Sequence, residues 1–268
     1  MLTTQSRIDS VLNASAIGVS IPKVVNFELR QLKISSMDTY PNLPVIRLGK
    51  KIERVFSFLI QNSSNYSVLK ENIQVIDQKI TIGEFDFIIE NNETKEISHL
   101  EIVYKFYLYD PNQSAIELER WIGPNRKDSF IEKFEKLKLK QFPLLYHPKT
   151  ARVLNDLDIN SMQQKLCFMA SLFVPFSLLN QPIASINNSS IIGYWLTFNE
   201  FNSISQTDNE YFLPKKQDWG IAPNVNSTWY SGSEIRVELY ECLDRHFSPL
   251  LWIKTTESTY EQCFIVWW

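Results

Sequence analysis

Three runs of β-type residues follow one another in the first half of the chain, at 68–77, 79–90 and 96–109. Apolar positions alternate in the first, as at Ile73 and Val75, and the other two carry a nearly continuous apolar stripe. Their connections are short, and residues 91–95 form a polar, turn-like stretch, so the pattern predicts consecutive antiparallel pairing. Upstream, Ile52, Val55, Phe56, Leu59 and Ile60 recur at helical spacing from Leu48, with Glu53 beside that apolar face, and residues 62–65 end the helix. Downstream, Phe130, Phe134, Leu137 and Phe142 mark a helix over 129–141, with Asp128 or Ser129 as its cap and Pro143 at its end. Weak helical patterns cover 7–12 and 25–35, and 38–43, with Pro41 and the neighbouring Pro44, reads as a loop.

Beyond residue 150 the chain turns β-rich. Strands are expected at 165–176 and 191–201 around the Asn/Ser-rich stretch 180–190. A second polar stretch, 202–209, leads into 213–223, which holds Trp219. A helix over 234–245 and strands at 250–254 and 262–268 complete the pattern. The order helix–strand–strand–strand–helix predicts an α/β fold with a mixed sheet flanked by helices. The expected division is an α/β core over 1–150 and a β-rich region over 151–268, either separate or packed on the same core.

Composition narrows the classes. With 44% hydrophobic residues among 268, the chain can bury a full core. A net charge of -3 argues against a globally basic nucleic-acid binder and leaves room for a local basic face. The seven glycines are too dispersed for a GxGxxG or GxxxxGK loop, and the three cysteines form no CxxC pair. No basic start followed by a long apolar run opens the sequence, and the apolar stretch 168–179 is too short to span a bilayer; a cytoplasmic protein with no membrane partner is the expectation.

Glu84, Asp86 and Glu101 change the picture, because a carboxylate buried without a partner is costly. Alternation puts Glu84 and Asp86 on one face with Ile82 and Ile88, and Glu101 on one face with Val103 and Lys105. Antiparallel pairing then brings Asp86 and Glu101 to the same side of neighbouring strands. Two such carboxylates repel unless a cation or a proton lies between them. Hard oxygen ligands favour Mg²⁺ or Mn²⁺. A nearby lysine would stabilise an attacking hydroxide or the charge developing on a phosphate, which is the equipment of metal-assisted phosphodiester hydrolysis. The plainer account is an edge-strand acid at Glu84 and a cross-strand ion pair between Glu101 and Lys105.

The sequence Gly83-Glu84-Phe85-Asp86, followed after a short turn by Glu101 and Lys105, resembles the PD-(D/E)XK nuclease superfamily with its restriction-endonuclease-like fold. The resemblance implies Asp86 and Glu101 as metal ligands, Glu53 as an auxiliary acid from the upstream helix and Lys105 as the catalytic lysine. The usual spacing is Glu-x-Lys. Here Val103 stands at that position and Lys105 lies four residues after Glu101, ~13 Å along a regular strand. A β-bulge would shorten that reach; alternatively Lys133 or Lys136 of the following helix takes the role. A longer set of pieces, GEFDF, HLEIVYKFYL, Trp121-Ile122-Gly123-Pro124-Asn125 with Asp128, Lys133 and Gln141, and a late Leu-Pro…Trp, is similar to an uncharacterised bacterial family catalogued as domain of unknown function 1853.

Between Arg126 and Lys140 six basic residues face three acidic ones, an excess of three positive charges that suits phosphate contacts through Lys133 and Lys136 or an ordinary solvated helix. His99 lies two before Glu101 on the same face, where it is either a partner of that carboxylate or, as the commoner case, an ordinary surface or satisfied histidine. Six of the seven tryptophans fall in the C-terminal part, as core residues or stacking platforms for bases. The apolar end, 264–268, is expected as a buried final strand or an oligomer contact. Three functional readings result: a Mg²⁺- or Mn²⁺-dependent nuclease with water as the attacking group, a catalytically inactive scaffold that binds nucleic acid or a protein partner, and a purely structural interaction module that the aromatic C-terminal half would suit.

Overall fold

One mixed sheet of ten strands organises the chain. The computed structural model describes residues 3–34, 40–44, 46–184, 186–204, 208–255 and 259–268. Parts of the loops expected at 38–43, 180–190 and 202–209 lie outside these residues. In chain order the elements begin with α1 (Thr4–Leu12), β1 (Val24–Asn26), α2 (Leu48–Gln61), β2 (Tyr66–Asp77), β3 (Ile80–Asn91), β4 (Ile97–Tyr109) and β5 (Trp121–Ile122). They continue with α3 (Phe130–Lys136), α4 (Thr150–Val153), β6 (Gln163–Pro175), β7 (Ile191–Thr197), α5 (Phe198–Ile204), β8 (Glu210–Phe212), α6 (Gly232–Asp244), β9 (Leu250–Lys254) and β10 (Tyr260–Val266). The sheet order is β2-β3-β4-β6-β7-β10-β9-β8, with β1 on β6 and β5 on β4.

The expected antiparallel meander is present as β2, β3 and β4. Gln78 and Lys79 both take positive φ (46° and 69°), the conformation of a two-residue hairpin turn that follows the twist of its strands. β4 then pairs in parallel with β6 from Ser98 to Leu108, so the sheet runs across the expected 1–150 and 151–268 division. β7 covers only the Leu172–Pro175 end of the other β6 edge. The N-terminal segment covers the rest through β1, the Ala16–Met169 bridge and the Ile17 N–H donating to the Phe168 carbonyl at 2.7 Å. Backbone groups that would otherwise be exposed in the middle of the sheet are thereby satisfied.

α2 forms where its periodicity places it. Ile52, Val55, Phe56, Leu59 and Ile60 are each no more than 1% exposed and pack on Phe87, Ile89, Leu100 and Ile102. Burying each such side chain contributes roughly 1.5–3 kcal/mol. α6 carries the predicted helix in the C-terminal region, started by a capping box between Ser231 and Glu234. Two expectations fail. In place of the helix expected at 25–35, of which residue 35 lies outside the described residues, the chain forms the short strand β1 and a 3₁₀ turn at Leu29–Gln31, because β6 offers an open edge and pairing with it outweighs weak helical propensity. The expected strand 191–201 ends at Thr197. The carboxylate of Glu200 caps the Thr197 N–H at 2.8 Å, and Phe198–Ile204 turns into a helix.

The apolar C-terminus is a buried strand, as its composition predicts. Phe264 is fully buried, with its ring 4.8 Å from Phe173, 5.0 Å from Trp219 and 6.3 Å from Phe106. This cluster joins β4, β6, β10 and the segment holding Trp219. No helix among the described residues is long and apolar enough to cross a membrane. Phe264→Ala should cost about 3–5 kcal/mol in urea unfolding, through lost transfer energy and the cavity left behind. A cost below about 1 kcal/mol would show that this cluster does not hold the two halves together.

Candidate active site

The register of β3 and β4 sets the site. Their recorded ladder runs from Glu90↔Ile97 to Phe87↔Leu100 and stops there. The next positions are Asp86 and Glu101. Where the ladder stops, Asp86 Oδ2 accepts the Ile102 N–H at 3.0 Å, so a side chain replaces the strand carbonyl that would otherwise satisfy it. The pleat is interrupted at the same point. Strict alternation would put Phe85 with Phe87, yet Phe85 packs with Ile88 and Leu144 while Phe87 packs with Ile89 and Val55. Glu84 and Asp86 have different partners, though both lie within electrostatic reach of Glu53: Glu84 meets Lys50 of α2 at 3.1 Å, and Asp86 turns to the gap between β3 and β4. Gly83 admits the side chain of Leu144, whose Cδ2 would lie 2.5 Å from a Cβ at that position.

Glu101 is 1% exposed and held at both oxygens. His99 Nε2 lies 2.8 Å from Oε1, and Gln141 Nε2 donates to Oε2 at 3.0 Å. A carboxylate only accepts, so Nε2 is the protonated nitrogen of His99, and Nδ1 is left to face Gln164 Nε2 at 3.5 Å. His99 is fully buried, edge-on to Phe85 at 4.8 Å. Of the two readings of His99, the partner of Glu101 is the one present, and a surface histidine is not.

Gln141 reaches Glu101 from an irregular helix. Ser129 caps α3, its Oγ accepting the Glu132 N–H at 3.2 Å, and the helix then widens into a π-turn over Leu137–Gln141. The predicted helix 129–141 is thus one α-helix and one π-turn, and the widened turn ends with the Gln141 amide at Glu101 Oε2. The sequence marks Gln141 as one of several recurring positions without giving it a role.

The expected site residues divide into two groups. Asp86, Glu101, Glu53 and Lys133 share one electrostatic neighbourhood. Burial pushes the Asp86 carboxyl up to about 8; the Glu101 charge adds to the rise, the Ile102 N–H opposes it, Glu53 raises it further and Lys133 lowers it. Burial raises Glu53 against the ammonium of Lys50, which lies 2.6 Å from its carboxylate. Burial also lowers Lys133, which Glu101 and Asp86 draw upward again. The ammonium of Lys133 makes no ion pair or hydrogen bond among the described residues. Lys105 acts on Lys133 from a distance but is itself engaged: its ammonium binds Asp128 at 2.6 Å, in place of the cross-strand pair with Glu101. Lys136 is exposed.

No group of three or more His, Cys, Asp or Glu side chains among the described residues is arranged to hold a metal ion. Asp86 and Glu101 offer two hard carboxylates. That set fits Mg²⁺, which keeps several waters and takes one or two protein carboxylates. A cleft of about 1510 Å³ is lined by Glu53, Glu84, Lys105 and Asp128, while Asp86, Glu101 and Lys133 lie outside its lining. Glu53 lines the cleft and also acts on the Asp86 carboxyl.

A family model described as Domain of unknown function (DUF1853) matches residues 28–266. No curated protein and no solved structure matches the chain.

Without divalent cations, Asp86 makes stability depend on pH. The unfolded carboxyl ionises near pH 4 (about), whereas the folded one holds its proton up to about 8. The folded state therefore binds more protons across that window, and stability should fall as pH rises through it. Urea unfolding of wild type and Asp86→Asn between these limits checks the sign; the variant should lose the slope, and an unchanged slope would assign it to another group.

Proposed function

The chain belongs to the family described as Domain of unknown function (DUF1853), and from that premise we propose that it is a divalent-metal-dependent nuclease of the PD-(D/E)XK type. In this reading the β2–β4 meander, with α2 before it and α3 after it, is a restriction-endonuclease-like core. The observation that carries the proposal is the pairing of Asp86 and Glu101 at the open end of the β3/β4 ladder, beside an unpaired half-buried lysine, Lys133. Lys133 replaces Lys105 as the lysine of the site, because Asp128 already holds Lys105.

Each residue has a role that follows from its surroundings. Asp86 and Glu101 would hold Mg²⁺ or Mn²⁺, which when bound supplies a Lewis acid and an activated water. His99 and Gln141 fix the Glu101 carboxylate from two sides, so its orientation costs nothing when substrate arrives. Glu53 stands between the carboxylate pair and the cleft, where a phosphodiester would enter. Lys133 places positive charge where negative charge develops on the phosphate; its partial burial strengthens that interaction. Water is the nucleophile. Nucleic acid is the partner, with Lys136 on the exposed side of the same helix as a further phosphate contact.

A second reading has its own support. Both Glu101 oxygens are already occupied by His99 and Gln141, and the acids do not line the cleft. An inactive scaffold that binds nucleic acid or a protein partner matches those facts.

Calorimetric titration with Mn²⁺ separates the two, since the nuclease binds the ion and the scaffold need not. Asp86→Asn keeps an acceptor for the Ile102 N–H but removes the charge, and should lower Mg²⁺-dependent cleavage by at least about a hundredfold with the fold retained. Glu101→Gln and Lys133→Met should act similarly, and Lys105→Met should cost much less. Full cleavage by Asp86→Asn, or a larger loss from Lys105→Met than from Lys133→Met, would overturn the assignment.

A further inference from the structure

The cleft beside Glu53 holds more positive charge than its own acids neutralise. Among the described residues five cations and four acids line it. Lys50 is bound by Glu53 and Glu84, and Lys105 by Asp128. Arg47, Arg54 and Lys216 are exposed and have no ion-pair partner among the described residues; Glu71 is the one lining acid outside those pairs, and Asp128, bound to Lys105, acts on Lys216 from a distance.

These cations stand on two walls. Arg47 is the residue before α2, and Arg54 follows seven positions later on the same side of the helix, ~10 Å along its axis. Lys216 faces them from the segment ending at Trp219, its ammonium 5.5 Å from the Trp219 ring centre. That segment is fixed from behind: the buried guanidinium of Arg7 donates to the Gln217 carbonyl at 2.8 Å and the Trp219 carbonyl at 2.7 Å. Gly220, at φ +85°, lets the chain turn there; a Cβ would lie 2.1 Å from the Tyr104 hydroxyl. Phe58 and Tyr104, both half-buried, line the space between the walls. At about 1510 Å³ the cleft exceeds the ~300–1,000 Å³ of ordinary small-molecule sites, which points to a segment of a chain as its occupant.

We propose that this cleft is the track of a single strand of nucleic acid, with phosphates on Arg47, Arg54 and Lys216 and bases against Phe58 and Tyr104. Cations along a groove combined with aromatic platforms suit unpaired bases, whose π-faces are free. A duplex keeps those faces stacked inside and offers phosphates outward, which leaves the aromatic floor unused. Glu53 lies where the track meets the carboxylate pair. The inference deepens the nuclease reading, on which it rests for what happens at the end of the track; binding along the track stands independently.

The test uses the full chain carrying Asp86→Asn, which prevents cleavage, and fluorescence anisotropy with labelled oligo(dT) and oligo(U) of about a dozen nucleotides, alongside a blunt DNA hairpin. At least one single strand should bind about tenfold or more tighter than the hairpin. Adding Arg47→Ala, Arg54→Ala and Lys216→Ala should weaken that binding about tenfold or more and lower the slope of log K against log salt by about two. Lys138→Ala with Lys140→Ala, on the rival basic helix, should change it by less than about twofold, with circular dichroism verifying every fold. Equal binding of the hairpin, loss through the rival pair instead, or no binding of either single strand would overturn the track. The two proposals fail differently. Single-strand binding that depends on the cleft, without Mg²⁺-dependent cleavage by wild type, sinks the nuclease and keeps the track. Cleavage that survives alongside unchanged binding in the cleft variant does the reverse.

Discussion

The hydrogen bond from the Ile102 N–H to the Asp86 carboxylate is the interaction on which the site depends. A sheet normally satisfies such a donor with the facing carbonyl. Here the β3/β4 ladder has ended, and a buried donor left unpaired would cost ~1–3 kcal/mol. The acid that replaces the carbonyl is thereby fixed beside Glu101, at the one place where the two strands part. Burial first, and then the Glu101 charge beside it, hold the Asp86 carboxyl far above its usual range. One structural need, satisfying a strand N–H, has been met with a group whose charge then calls for a cation.

The rest of the fold fixes the two acids from both sides of the sheet. α2 covers one face and contributes Glu53; α3 and its π-turn contribute Lys133 and Gln141. β6 pairs with β4 along the full span from Ser98 to Leu108, so Glu101 sits on a strand supported on both edges near the site. A side chain on such a strand has little freedom to adjust, and a preorganised carboxylate needs little reorganisation when it binds.

Much of this was legible from residue order because it depends on local periodicity. α2, the meander and α6 announce themselves through spacing, and Asp86 and Glu101 through the cost of burying acids among apolar neighbours. The pairing of Lys105 with Asp128, and the arrival of Lys133 beside the acids, depend on how α3 lies on the sheet. No periodicity encodes that docking. The interruption of the pleat at Asp86 was hidden for a similar reason, since residues 82–88 alternate plausibly under an unbroken pattern. The π-turn at Leu137–Gln141 carries no marker in its composition. The short strand β1 exists only because β6 leaves part of an edge uncovered, a vacancy created more than a hundred residues later.

Arg7 has a consequence for how the chain acquires this structure. It lies ahead of the stretch shared with the family, 28–266, yet its guanidinium is buried against the carbonyls of Gln217 and Trp219, more than two hundred residues away. During synthesis the Arg7 guanidinium stays hydrated until the segment around Trp219 has left the ribosome, although Ile8 and Val11 of the same helix pack with α2. Contacts of such sequence separation slow folding and prolong the time spent in partly assembled states. The Arg7 contact is thus a late clasp, closed only once the wall that Trp219 completes has been made.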